Sequence, residues 1–81
     1  MLFAIQNAGY SNPLYDYPVL SQKYGAYPGS YDDPWYEHAL IKISSFDELI
    51  QLSREIGQDI IVKREELDGH PWLMIYDGYL E

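Results

Sequence analysis

The apolar and polar positions of this chain follow a recognisable period in four places. Residues 2–6, LFAIQ, are largely apolar with no breaker before Asn7-Ala8-Gly9, which predicts a first strand. In YEHALIKI, residues 36–43, the side chains alternate. Ala39, Ile41 and Ile43 point one way, and His38, Leu40 and Lys42 the other, as in a strand with one apolar face. SSFDELIQLSREIG follows at once and switches to the helical period. Phe46, Leu49, Ile50 and Ile56 form a stripe that Leu52 broadens, and Gly57 supplies the stop. Ser45 and Glu48 have the spacing of a capping box, and Asp47 and Glu48 suit the positive end of the helix dipole.

DIIVKREELDGHPWLMIYDGY reads as a β-hairpin turning at Asp68-Gly69, a pair suited to the positive φ angles of a type I′ turn. A regular ladder from that turn sets Leu67 opposite His70, Arg64 opposite Leu73, Val62 opposite Ile75, and Ile60 opposite Asp77. Ile60, Val62, Leu73 and Ile75 then share the face that lies under the helix. Ile61, Lys63, Trp72, Met74 and Tyr76 share the other. Pro71 falls where its missing N–H points away from the partner strand.

The predicted fold class is therefore α+β. It is a small, mostly antiparallel sheet in the order β, long aromatic loop, β, α, β, β, with one helix on one face. At 81 residues the chain has room for one domain, residues 1–81. With no cysteine, neither disulfides nor thiolate metal sites contribute.

The segment from 9 to 36 has no clean period. It holds seven tyrosines, a tryptophan and four of the five prolines, so rings and turn formers dominate it. Residues 18–25 fit a single short helix, with Pro18 in the first turn and Gly25 past the end. Eight rings carry enough apolar area to order much of the segment, which excludes the composition of a disordered linker. The expectation is an ordered stretch over residues 9–35 that crosses the sheet face left bare by the helix. Some of its rings are buried there and others presented. Tyrosine suits presentation because it offers a large contact area with few rotatable bonds.

Thirteen acidic residues against five basic ones give a net charge of −8. A surface of that sign repels phosphate backbones and anionic membranes, and favours a basic partner. Residues 10–36 carry three acids and one base, whereas residues 37–81 carry ten acids and four bases. Most of the charge thus lies on the regular elements, which can hold carboxylates at set spacings. No run of about 20 apolar residues and no basic leader is evident, so the expected location is the cytoplasm.

Chemistry is harder to find. Glu37 and His38 point to opposite faces of their strand, His70 sits at a hairpin turn, and Ser30 and Ser44 have no nucleophile-elbow context. Asp32, Asp33 and Glu37 have carboxylates suited to calcium, but Pro34-Trp35 interrupts the spacing, and a solvated turn explains them. The reading is a non-enzymatic protein without cofactor or metal.

In size, charge and element order, IKISSFDELIQLSREIG followed by DIIVKRE and PWLMIYDGYLE resembles the small acidic proteins of bacteriophages and mobile elements, anti-CRISPR and DNA-mimic inhibitors among them. The resemblance implies a protein that acts inside the host cell and blocks a basic nucleic-acid-binding site of a host defence complex, such as a CRISPR effector. Carboxylates would stand in for phosphates, and rings would anchor the contact. The residues expected to meet the partner are Tyr15, Tyr17, Tyr24, Tyr27, Tyr31, Asp32, Asp33, Trp35, Glu65, Glu66 and Asp68. The alternative is a structural or assembly protein of phage type that self-associates, as a homodimer for instance, through the aromatic segment.

Overall fold

A computed structural model describes residues 1–31 and 33–77. Strand β1 (Leu2–Asn7) lies at the centre of a five-stranded sheet. On one side it pairs antiparallel with β3 (Ala39–Lys42), which in turn pairs with the two-residue β2 (Tyr27–Pro28). On the other it pairs in parallel with β5 (His70–Tyr76), and β4 (Asp59–Leu67) closes that side as the hairpin partner of β5. The order is β2-β3-β1-β5-β4, an α+β architecture in which every pairing except β1 with β5 is antiparallel.

β3 and β4 run in the same direction on opposite sides of the β1–β5 pair, so the chain must cross a face of the sheet between them. It crosses as helix α3 (Phe46–Ile56). Ser45 caps the helix by accepting from the Glu48 N–H at 3.2 Å, and Gly57 ends it at φ 69°. That left-handed conformation favours glycine. Leu52 is fully buried against Ile5, Ile41, Leu73 and Ile75, with Leu49 and Ile56 packed beside it. The stripe is narrower than its sequence suggests. Phe46, expected in it, is 73% exposed and stays outside the core cluster, lining instead an open apolar recess with Val62 and Leu73.

The hairpin follows its expected register only next to the turn, where Leu67 faces His70 and Glu66 faces Pro71. Between Val62 and Glu66 the ladder shifts, so that Val62 faces Leu73 and Ile60 faces Ile75. Arg64 is thus not opposite Leu73, nor Ile60 opposite Asp77. Lys63, Arg64 and Glu65 together span the place of one residue, a bulge of charged residues on the outer strand. A slip of two residues preserves side-chain parity, so both faces keep their expected occupants.

The aromatic segment divides between the two faces of the sheet. Its first half forms two short helices, α1 (Pro13–Asp16) and α2 (Val19–Gln22), so the one helix expected over residues 18–25 is shorter and has a companion. Leu14, Tyr17, Leu20, Tyr24 and Ala26 pack on the same core as α3. After β2 the chain passes to the opposite face, where Ala4, Leu40, Leu67, Leu2 and Trp72 cluster, and makes a 3₁₀ turn at Pro34–Tyr36. This second half covers the bare face, joined there by Tyr10 from the start of the segment. Leu20 is fully buried in the same cluster as Leu52, so α2 shares with the 11-residue α3 the task of covering that face.

Candidate binding groove

The 3₁₀ turn is held over the sheet by Gln6. This residue is fully buried, and its Nε2 donates to the Trp35 carbonyl at 2.6 Å. Asp33 starts the turn by accepting from the Trp35 N–H at 3.0 Å. The carbonyl bond anchors the Trp35 backbone and leaves the indole 64% exposed, stacked edge-on against Tyr10 with ring centroids 4.7 Å apart. Beneath, Trp72 projects from β5, and the Lys63 ammonium lies 5.3 Å from its ring centroid. The Trp72 Nε1 is buried, with no hydrogen-bond partner among the described residues.

Between the turn and the sheet run two adjoining recesses of ≈ 490 and ≈ 650 Å³. They share Asp33, Tyr36 and Trp72. The first also meets Tyr10, Trp35, Lys63 and Met74, the second Tyr31, Glu65, Glu66 and Leu67. The outcome is a groove of five aromatic rings rimmed by three carboxylates and one ammonium. Aromatic faces attract cations electrostatically, and the net negative rim adds to that attraction.

One end of the groove is locked by a polar cluster built on the buried His38. His38 Nε2 lies 3.1 Å from the Asp68 carboxylate, and the ring's Nδ1 faces the Tyr36 carbonyl. Ser30 donates to the same carboxylate from its hydroxyl at 2.6 Å and from its backbone N–H at 3.1 Å. These donors, with Ser30 contributing most, hold the Asp68 carboxyl down at about 2. Although Ser, His and Asp meet here, the serine is bonded to the carboxylate and not to the imidazole, both of whose nitrogens are taken. The geometry is that of a clamp rather than a charge-relay nucleophile. It ties the aromatic loop to the hairpin tip. Along the chain Ser30, His38 and Asp68 stand far apart. Their only sequence signal is the Asp-Gly turn and a histidine within an otherwise apolar strand pattern.

The expected partner-facing residues are not one surface. Tyr31, Asp33, Trp35, Glu65 and Glu66 gather at the groove, joined by Tyr10, Tyr36, Lys63 and Trp72, which the expected set omitted. Tyr31 stands edge-on to both Tyr36 and His38, at 5.7 Å in each case. Asp68 belongs to the clamp. Tyr17 and Tyr24 are half-buried on the α3 side. Burial, followed by the charge of Asp77, raises the Tyr17 phenol. Burial and a 3.0 Å hydrogen bond to Glu55 push Tyr24 up to about 12. Glu55 also pairs with Lys23 at 2.6 Å, which lowers its own pKa. Tyr15 is 84% exposed on α1, and Tyr27 lies on the edge strand β2. Asp32 lies outside the described residues.

Among the described residues no group of acidic or histidine side chains could hold a metal ion, and no helix is long and apolar enough to cross a membrane. No family model, curated protein or solved structure matches the chain.

Proposed function

We propose that the protein is a binding protein that docks on a positively charged macromolecule through this groove. The observation that carries the reading is the gathering of Tyr10, Tyr31, Trp35, Tyr36 and Trp72 around Asp33, Glu65 and Glu66. Lys63 already lies over Trp72 from within the chain, which marks this ring as one that receives a cation. An arginine or lysine of the partner would enter beside it, its charge met by the rim and its stem by the rings. Aromatic residues and arginine dominate binding hot spots, and an acidic surface steers a basic partner into encounter. The partner class favoured by the overall charge is a nucleic-acid-handling protein, whose basic channel the carboxylates would occupy as phosphate substitutes. Inhibition of a host defence complex is the role this supports.

The test is a titration of octa-arginine peptide followed by tryptophan fluorescence, at low and high salt. Binding should weaken with salt, and Glu65→Gln with Glu66→Gln or Tyr36→Ala should reduce it several-fold. Asp47→Asn with Glu48→Gln, on α3, should leave it unchanged. Equal loss from both sets would reduce the effect to net charge and overturn the groove. A second arm adds the protein to a CRISPR effector nuclease and measures DNA binding. Undiminished DNA binding there would refute this effector as the target while leaving the groove intact.

A further inference from the structure

The two edges of the sheet are protected unequally. β2 has two residues, one of them Pro28, and offers little to a neighbouring strand. β4 has nine, and only its second half carries the charged bulge from Lys63 to Glu65. Its first half, Ile60-Ile61-Val62, is regular, and Val62 is 68% exposed beside Phe46 in an apolar recess.

The direction of its backbone groups follows from the ladder. The Ile75 carbonyl accepts from the Ala8 N–H at 3.0 Å, so Ile75 faces β1. Ile60, opposite Ile75, therefore turns its N–H and C=O away from β5, and so does Val62 two residues on. Both present their backbone polar groups at the open edge.

We propose that a second copy of this chain pairs with that edge, antiparallel, about a two-fold axis through Ile61. In this register Ile60 of each copy faces Val62 of the other, the residues whose N–H and C=O groups point outward. Ile61 faces its own counterpart, and Asp59 faces Lys63 twice. The five-residue stretch DIIVK is thus self-complementary: three apolar residues flanked by opposite charges at matching distances. Moving the axis to Val62 keeps the hydrogen-bonding parity but sets Asp59 against Glu65, and moving it to Ile60 sets Asp59 opposite Ile61, with no charge pair. Registers with the axis between two residues mismatch the outward groups. Charge and backbone parity together select Ile61. The axis stands perpendicular to the sheet, so the two aromatic grooves open on the same side. The pairing leaves both grooves open and touches each only at its rim, where the Lys63 ammonium that lies over Trp72 would turn toward Asp59 of the other copy.

An edge contact of this size belongs to the weak class, with a Kd on the order of 10 μM to 1 mM. Sedimentation equilibrium over that range should show the apparent mass rising from 9.5 kDa toward twice that value. Asp59→Lys or Lys63→Asp alone should hold the chain monomeric, and the double exchange D59K/K63D should restore the dimer. The natural chain has no cysteine, so Ile61→Cys should oxidise to a disulfide-linked dimer faster than a control cysteine at exposed Ser21. A chain that stays at the monomer mass throughout, with I61C linking no faster than the control, overturns the proposal. So does a dimer indifferent to the single charge exchanges.

Discussion

The Asp68 carboxylate lies 3.1 Å from the Nε2 of His38, joining the tip of the last hairpin to the end of the aromatic loop. The histidine side chain is wholly buried and the aspartate mostly so, which makes this contact the hinge-pin of the groove. Asp68 also holds φ 55°, as the first central residue of its turn requires.

Replacing Asp68 with asparagine would keep the turn, since asparagine tolerates that backbone region, while removing the charge. Asp68→Asn should therefore lower stability at neutral pH without altering the hairpin. The folded-state pKa, about 2, lies below the ordinary value of about 4. The carboxylate's contribution is therefore complete above pH ~4 and is lost as pH falls through ~2. Urea midpoints of the two proteins should converge over that interval. A gap that persists unchanged to low pH would assign the effect to packing.

Gly29 touches the other side of the same histidine. A Cβ there would fall inside the His38 imidazole, which is fixed by Asp68 and by the Tyr36 carbonyl and cannot step aside. Gly29→Ala should cost about 1–3 kcal/mol, the range for overpacking a filled site. Chemical denaturation measures it, and loss of the ring-current shift between Tyr31 and His38 would locate the damage.

Tyr24 should be among the last tyrosines to ionise, near pH 12. Its folded pKa is raised above the ordinary ~10, so its contribution is present below pH ~10 and lost as pH rises toward 12. Glu55→Gln should bring the phenol down by removing the neighbouring charge. Ultraviolet titration of tyrosinate in the two proteins tests this. Superimposable curves would mean burial alone sets the shift.

Leu52 and Phe46 sit six residues apart in one apparent stripe, yet they differ in burial. Leu52→Ala should cost about 2–5 kcal/mol, whereas Phe46→Ala should stay within about 0.5 kcal/mol. Similar losses from both would place the first turn of α3 against the core.

Much of the framework is legible along the chain. The Ser45 cap, the Gly57 stop and the alternation of Ala39, Ile41 and Ile43 are local signals, each backed by a local hydrogen-bonding or burial requirement. The two hairpin faces are readable for a further reason: their parity survives a slip of two residues. The slip itself is not readable. Nothing in KRE indicates that three residues will oppose one, because that outcome depends on β4 being an outer strand whose charged residues can bow into solvent.

The sequence by itself determined the period of each regular element, the turn at Asp68-Gly69 and the sign of the surface. The tertiary structure decided the path of the aromatic segment, the division of its tyrosines between two faces, the meeting of Ser30, His38 and Asp68, and the open edge at Ile60–Val62. The reason is one of range. A helix cap or a strand alternation is settled by groups a few residues apart, whereas a ring in an aperiodic segment goes wherever distant strands leave apolar surface uncovered. That surface exists only once β1, β3 and β5 have come together.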